Sequence, residues 1–333
     1  MKVLVGLPPV LLSEAQSMTS MFKGVVPDDV QIIVPATGTE EELVRLAADV
    51  EVIICLALSK KVAQAAKNLK LIQKIGAGVD NIPFDTLRDD VAVANTSGAN
   101  PTPLAEGAVA LVLALAKQIV RRNNLFPKLD GATMTGVELR GKTVGVLGLG
   151  HVGTEVARLL KAFEVKIYAV KRDPKEVSKL KVTPDFLGGP ADLDYVLSSS
   201  DFVVVTLPLT PETRGLIGER ELHLMKPTSY LVNVGRGPII QEEPLYRALK
   251  EGWIAGAALD VWWSEPWWGE NQNPGGLATE IDISKLPNVI ATPHNVASTD
   301  SGVDDELRVV AENIRRVAEG KPAINQVNKK LQY

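Results

Sequence analysis

Gly141-Lys142-Thr143-Val144-Gly145-Val146-Leu147-Gly148-Leu149-Gly150-His151-Val152-Gly153 is the stretch on which the fold turns. An apolar run ends in glycines spaced G-x-G-x-x-G. A helical pattern, Thr154–Phe163, and a second apolar run, Val165–Val170, follow. In such a strand, turn, helix, strand unit each glycine has its own reason. Gly148 permits the tight turn, Gly150 lets backbone approach a pyrophosphate, and Gly153 lets helix and strand pack closely. The amides that open the helix, at His151, Val152 and Gly153, then face the phosphates in the favourable field of the helix dipole. Alone the motif is weak, because a glycine-rich turn can also serve packing. Its complete context makes dinucleotide binding the reading.

The same alternation runs outward in both directions. Downstream, Phe202–Thr206, Tyr230–Asn233, Gly256–Val261 and Val289–Thr292 read as further strands. Upstream, Val3–Leu7, Gln31–Val34, Val52–Leu56 and Leu71–Ile75 form a first series, with helical patterns at Thr39–Asp49 (Thr39 as N-cap) and Val62–Lys67. Strands apolar throughout and separated by helices imply parallel sheets covered on both faces, an α/β fold. Asn100-Pro101-Thr102-Pro103 breaks the rhythm between the two series. After it the spacing predicts one long, nearly all-round apolar helix, Leu104 to Asn123, and such a helix is expected to be buried. Asp304–Glu319 reads as an amphipathic helix with Arg308, Arg315 and Arg316 on its polar side. Trp262–Gly276 holds four of the five tryptophans and reads as a loop.

The chain has 333 residues, enough for about two domains, and 45% of them are apolar, enough for a sizeable core. A formal net charge of −4 is a poor match for nucleic acid or an anionic membrane surface, so neither is an expected partner. No run approaches the ~18 apolar residues of a membrane span. The apolar N-terminus stops at Pro8-Pro9 and reads as a first strand, not a signal peptide. The single Cys55 permits no internal disulfide and lies in an apolar run, as inert core. A reducing, cytoplasmic setting is expected. No His/Cys cluster has metal-ligand spacing, so no metal is expected.

Cofactor choice hangs on the end of the second strand of the dinucleotide unit. A site for NAD normally has Asp or Glu there, accepting from the ribose 2′-OH. Here Lys171 and Arg172 precede Asp173. Two cations suit a 2′-phosphate, which Arg can bind with two bonds, so NADP(H) is expected to be favoured over NAD(H). The competing reading makes Lys171 and Arg172 solvated charges and gives the ribose to Asp173.

Several further motifs occur in order: Leu207-Pro208-Leu209-Thr210-Pro211-Glu212-Thr213-Arg214-Gly215-Leu216-Ile217, Asn233-Val234-Gly235-Arg236-Gly237, Asp260-Val261-Trp262-Trp263-Ser264-Glu265-Pro266 and Thr292-Pro293-His294. Gly76-Ala77-Gly78-Val79-Asp80-Asn81-Ile82 and Asn95–Asn100 extend the set into the first half. Together with the glycine-rich turn these resemble the D-isomer specific 2-hydroxyacid dehydrogenases, a family that includes glyoxylate and hydroxypyruvate reductases, over nearly the whole chain. The resemblance implies a Rossmann-type doubly wound parallel sheet, residues 99–298, inserted in a flavodoxin-like substrate (catalytic) domain, residues 1–98 plus 299–333. It also implies a homodimer, hydride transfer between NAD(P)H and a small 2-oxo or 2-hydroxy acid, and catalytic Arg236, Glu265 and His294. Leu207, Pro208 and Thr213 would lie by the adenosine, Val234 and Gly235 by the nicotinamide ribose, Asp260 would accept from the carboxamide, and Ala297 would also contact the cofactor. Gly78 and Val79 would offer amides to the substrate, beside Arg236 and His294. The chain ends soon after its closing helix, so control by serine through a C-terminal regulatory domain is not expected.

The residue chemistry suits those roles. An imidazole, with an ordinary pKa of ~6.5, can donate and recover a proton, and a carboxylate bonded to the ring would orient it. A planar guanidinium can grip a carboxylate. Singly, each has a duller reading: Glu before Pro is commonly at the surface, Arg between glycines is commonly a loop charge, and Asp260 could merely cap a strand end. Trp262 and Trp263 depart from the family's common Phe-Glu pair, and the stretch Pro266 to Leu286 is longer than usual. The two rings could wall the pocket or simply pack. A non-catalytic NAD(H)-sensing corepressor of the same fold is the alternative function, since such proteins can retain these residues.

Overall fold

The computed structural model describes residues 1–126, 134–176, 181–265, 281–299 and 302–333. It divides into two compact units. One comprises Met1–Asn100 and the described chain from Thr299 onward; the other comprises Pro101–Glu265 and residues 281–298. Trp267 and Trp268, with most of the long Pro266–Leu286 stretch, lie outside the described residues.

The first unit carries β1 (Lys2–Gly6), α1 (Leu12–Met21), β2 (Gln31–Ile33), α2 (Glu40–Ala47), β3 (Val52–Cys55), α3 (Lys60–Ala65), β4 (Leu71–Lys74) and β5 (Ala92–Ala94). All strand pairs are parallel, in the order β2-β1-β3-β4-β5. This is the flavodoxin-like order. Every residue of β3 is buried, as expected of a strand covered on both faces. Burial pushes the Cys55 thiol up to about 12, which leaves it inert. Thr39 caps α2 as predicted, its side chain accepting from the Glu42 amide. Glu42 answers by accepting from the amides of Ala36, Thr37 and Gly38 and from the Thr37 hydroxyl. Strand β5 was not legible in advance: three residues, two of them alanine, carry too little apolar pattern.

In the second unit, α4 (Thr102–Ala116) and α5 (Ile119–Leu125) precede β6 (Thr143–Leu147), α6 (His151–Lys161), β7 (Lys166–Val170), β8 (Phe186–Gly188), α7 (Leu193–Ser199), β9 (Phe202–Val205), α8 (Glu219–Leu224), β10 (Tyr230–Asn233), α9 (Glu242–Glu251), β11 (Gly256–Leu259) and β12 (Val289–Ala291). The sheet is parallel in the order β12-β11-β10-β9-β6-β7-β8. Counted from β6, that is the doubly wound Rossmann order 3-2-1-4-5-6 with one strand added, and it reverses direction between β6 and β9. The chain closes with α10 (Gly302–Ala318), back in the first unit. Its Leu307, Val310, Ala311 and Ile314 are buried against β1 and β3, and Arg308 points to solvent.

The single helix expected over Leu104–Asn123 is two. Gln118 adopts a left-handed conformation, φ 53°, and the axes of α4 and α5 differ by 54°. No Gly or Pro marks the break. The returning segment 134–137 makes it: the Val137 amide takes the Ala116 carbonyl at 2.7 Å, and Lys117 Nζ and Gln118 Nε2 donate to the carbonyls of Val137 and Thr135. These bonds satisfy groups at a helix end that further turns would otherwise use. Among the described residues no single helix is long and apolar enough to cross a membrane.

Candidate active site

Because every strand of the second sheet is parallel, whatever follows a strand leaves by the same edge. The glycine-rich turn follows β6, Leu207 and Pro208 follow β9, and Val234 to Arg236 follow β10. Asp260 to Glu265 follow β11, and Thr292 to His294 follow β12. The carboxyl edge at a reversal of strand order is where open α/β sheets bind ligands.

The turn has the geometry a dinucleotide requires. Gly148 holds φ +100°, and a Cβ on Gly153 would sit 2.0 Å from the Gly148 carbonyl oxygen. A Cβ on Gly150 would meet nothing within 4 Å, so backbone there borders open space. His151, Val152 and Gly153 are the first residues of α6, with side chains exposed, half-buried and absent respectively. Thr206 braces the turn by donating to the Gly148 carbonyl at 2.6 Å. Asn233 braces the next one: its Oδ1 accepts from the Gly235 amide, and its Nδ2 donates to the Arg236 carbonyl. Neither Thr206 nor Asn233 was singled out from sequence. A short polar residue ending an apolar strand, one step before a predicted site, is the signal that could have found them.

Lys171 and Arg172 lie beyond β7, each beside a carboxylate. Lys171 Nζ donates to Glu176 Oε2 at 2.8 Å, and Arg172 to Glu212 at 2.6 Å. Asp173 accepts from the Lys175 amide. Thr213 braces its own loop, donating to the Pro208 carbonyl at 2.7 Å while accepting from the Thr210 amide.

Arg236 is extended and half-buried, its Nη1 donating to the Gly235 carbonyl. Glu265 and His294 meet: Oε2 and Nδ1 are 2.5 Å apart, with the side chains 12% and 24% exposed. A carboxylate only accepts, so the assignment that satisfies the bond puts the proton on Nδ1. His294 itself is left-handed, φ 54°, a costly conformation for a side chain of that size. Asp260 holds the turn that imposes it. Its Oδ1 accepts from the Thr292 hydroxyl at 2.7 Å and from the amides of Asn295 and Val296 at 3.0 and 3.3 Å. Asp260 is 1% exposed, and burial pushes its carboxyl above the ordinary range against the pull of those donors and of His294. Ala297 follows, exposed. Gly78 and Val79 follow β4 in the first unit, with Val79 buried. The structure thus brings together Glu265, His294 and Asp260, while Gly78 and Val79 belong to the other unit.

A parallel sheet with a phosphate-ready turn and a carboxylate-held imidazole on one edge defines a nucleotide-binding α/β protein equipped for proton transfer. Residues 109–296 match the family model described as D-isomer specific 2-hydroxyacid dehydrogenase, NAD binding domain. The chain is 38% identical to D-3-phosphoglycerate dehydrogenase of Archaeoglobus fulgidus over 338 residues, covering 98% of this chain and 59% of that protein. It therefore spans less than two thirds of that relative. It is 35% identical to glyoxylate reductase of Thermofilum pendens, over 88% of this chain and 86% of the relative. A crystal structure of a glyoxylate reductase from Paecilomyes thermophila superposes with a TM-score of 0.79 at 26% identity, covering 99% of each chain. The chain belongs to the D-isomer specific 2-hydroxyacid dehydrogenase family.

Proposed function

We propose that the protein is an NAD(P)-dependent D-2-hydroxyacid dehydrogenase acting as a reductase of a small 2-oxo acid of the glyoxylate or hydroxypyruvate type. The observation that carries this reading is the 2.5 Å pair of Glu265 and His294 on the sheet edge that also bears the glycine-rich turn. A reduced nicotinamide, when bound, supplies the hydride. Glu265 orients the ring through Nδ1, so Nε2 is the nitrogen that protonates the nascent alkoxide. Arg236 clamps the acid's carboxylate and polarises the neighbouring carbonyl. The amides of Gly78 and Val79 are assigned to the same carboxylate.

The residues fit a dinucleotide. The amides of His151, Val152 and Gly153, beyond the turn at Gly148 and Gly150, hold the pyrophosphate. Leu207, Pro208 and Thr213 flank the adenosine. Val234 and Gly235 flank the nicotinamide ribose, Asp260 accepts from the carboxamide, and Ala297 is a further cofactor contact. NADP(H) is the favoured form, with Lys171 and Arg172 taking the 2′-phosphate and releasing Glu176 and Glu212 in part. In this reading residues 1–98 with 299–333 are the substrate domain and 99–298 the dinucleotide domain. The working form is a cytoplasmic homodimer, and exposed Ile119, Val120 and Phe126 favour such an assembly.

The test is NADPH and NADH oxidation by the purified protein across glyoxylate, hydroxypyruvate and pyruvate. Turnover with a higher kcat/KM for NADPH is expected. Turnover with a clear NADH preference rejects the cofactor assignment alone. No turnover with any acid, despite tight nucleotide binding, rejects the enzyme and favours a nucleotide sensor.

A further inference from the structure

Trp262 touches all three segments that carry the proposed machinery. Its main-chain N–H donates to Glu265 Oε1 at 3.1 Å. Its indole Nε1–H donates to the Thr292 carbonyl at 2.9 Å, two residues before His294. Gly237, directly after Arg236, lies against its carbonyl group so closely that a Cβ there would come within 2.2 Å of both carbon and oxygen. The side chain is 8% exposed and belongs to a buried cluster with Ile239, Ile240 and Ile283. The ring is therefore core, not a pocket wall, yet its one polar atom is spent on the strand end that aims the histidine.

Trp263 provides the contrast. Its indole donates a bond of the same kind, 2.6 Å, but to the Ile240 carbonyl. Trp262 is buried in that cluster and Trp263 only partly buried against it, and of the two only Trp262 reaches the segment that bears His294.

We propose that Trp262 is a positioning residue for the acid–base pair: its indole N–H ties the end of β12 to the Glu265 loop and so sets Nδ1 of His294 onto Oε2. The proposal deepens the reductase reading and rests on it for its effect on turnover. A phenyl ring at 262 would fill much of the same space and could not make the tie. The strained backbone at His294 makes the loss consequential, because a left-handed residue stays put only while its surroundings over-determine it. Small misplacements of a reacting group are amplified in rate.

The experiment compares Trp262→Phe with Trp263→Phe and the wild-type protein. Thermal unfolding, NADPH affinity, kcat, KM and the imidazole N–H proton resonances are read on each. The chain has three histidines, so the far-downfield signal of His294 is assigned by its loss in His294→Asn. Trp262→Phe is expected to lower kcat about tenfold, with NADPH affinity held, and to shift or broaden that signal. Trp263→Phe, which also loses an indole hydrogen bond, is expected to lower the unfolding temperature no more than Trp262→Phe does and to leave kcat and the signal in place. Equal losses in the two variants, or a wild-type kcat and unmoved signal in Trp262→Phe, overturn the proposal. If Trp262→Phe does not fold, 3-benzothienylalanine incorporated at 262 keeps the bicyclic shape and removes only the N–H. A wild-type protein inactive on every 2-oxo acid would defeat the reductase reading, while the resonance comparison would still decide the role of Trp262.

Discussion

Nδ1 of His294 lies 2.5 Å from Oε2 of Glu265, a residue 29 positions earlier in the chain that leaves the neighbouring strand of the same sheet. The parallel pairing of β11 with β12 thus brings the loops that carry the two residues out side by side, with Nδ1 held by the carboxylate. Such an arrangement needs no lid to assemble it.

Replacing His294 by Asn removes the proposed proton donor and leaves the glycine-rich turn untouched. A fall in kcat of ~10²-fold or more is expected, with NADPH affinity by fluorescence titration unchanged. Near-normal turnover would show that another group delivers the proton.

Arg236→Gln keeps a polar side chain and deletes the guanidinium fork. KM for the 2-oxo acid should rise and kcat should fall together if, as proposed, the guanidinium both binds the carboxylate and polarises the carbonyl. A variant with altered nucleotide affinity and a normal KM for the acid would place Arg236 on the cofactor.

Asp260→Asn separates stability from binding. Burial raises the Asp260 carboxyl above its ordinary 3.8, so ionising it costs more in the folded than in the unfolded chain. That cost is absent below the ordinary value and grows as pH rises through the folded one. Asn keeps an oxygen for Thr292, Asn295 and Val296 without the charge, so the variant should melt higher at pH 7, by about 2–4 °C for each kcal/mol relieved. The gain should vanish toward pH ~4. Its new NH2 cannot accept from a carboxamide, so nucleotide affinity should drop if Asp260 has the proposed cofactor contact. Melting curves across pH, paired with NADPH titration, check both halves. Lower stability at pH 7 would refute the first.

Glu42→Gln tests the cap of α2. The Thr37 hydroxyl and the amides of Ala36 and Thr37 hold the Glu42 carboxyl down at about 2, against an ordinary 4.5. A depressed carboxyl contributes stability that is present above its unfolded value and lost as pH falls through the folded one. Denaturant midpoints of the wild-type protein should therefore decline between pH 4.5 and 2 more steeply than those of the variant. Parallel curves would mean the cap carries no folding free energy.

Much of the second unit could be read from residues alone, because Leu147 to Gly153 couples an apolar run, three spaced glycines and a helix start, each with its own steric reason. The doubly wound order of the strands came with the family resemblance, not from the residues themselves. What stayed hidden depends on partners distant in sequence. The break at Gln118 is made by residues 134–137, and no local signal announces it. The Lys171 and Arg172 cations face Glu176 and Glu212, and only the fold brings Glu212 across to Arg172. From the sequence Trp262 could either wall the pocket or simply pack. The carbonyl it serves belongs to Thr292, 30 residues later.

Gly107, midway along α4, lies against Val296 so tightly that a Cβ there would fall 2.0 Å from Cγ2 and 2.7 Å from the carbonyl oxygen. Val296 is one of the amides through which Asp260 holds the histidine turn. The absence of a side chain at this helical position thus lets α4 approach the segment that follows His294. One extra carbon at 107 would have to displace Val296, and with it one of the amides that donate to Asp260, while every polar side chain of that turn stayed chemically unchanged.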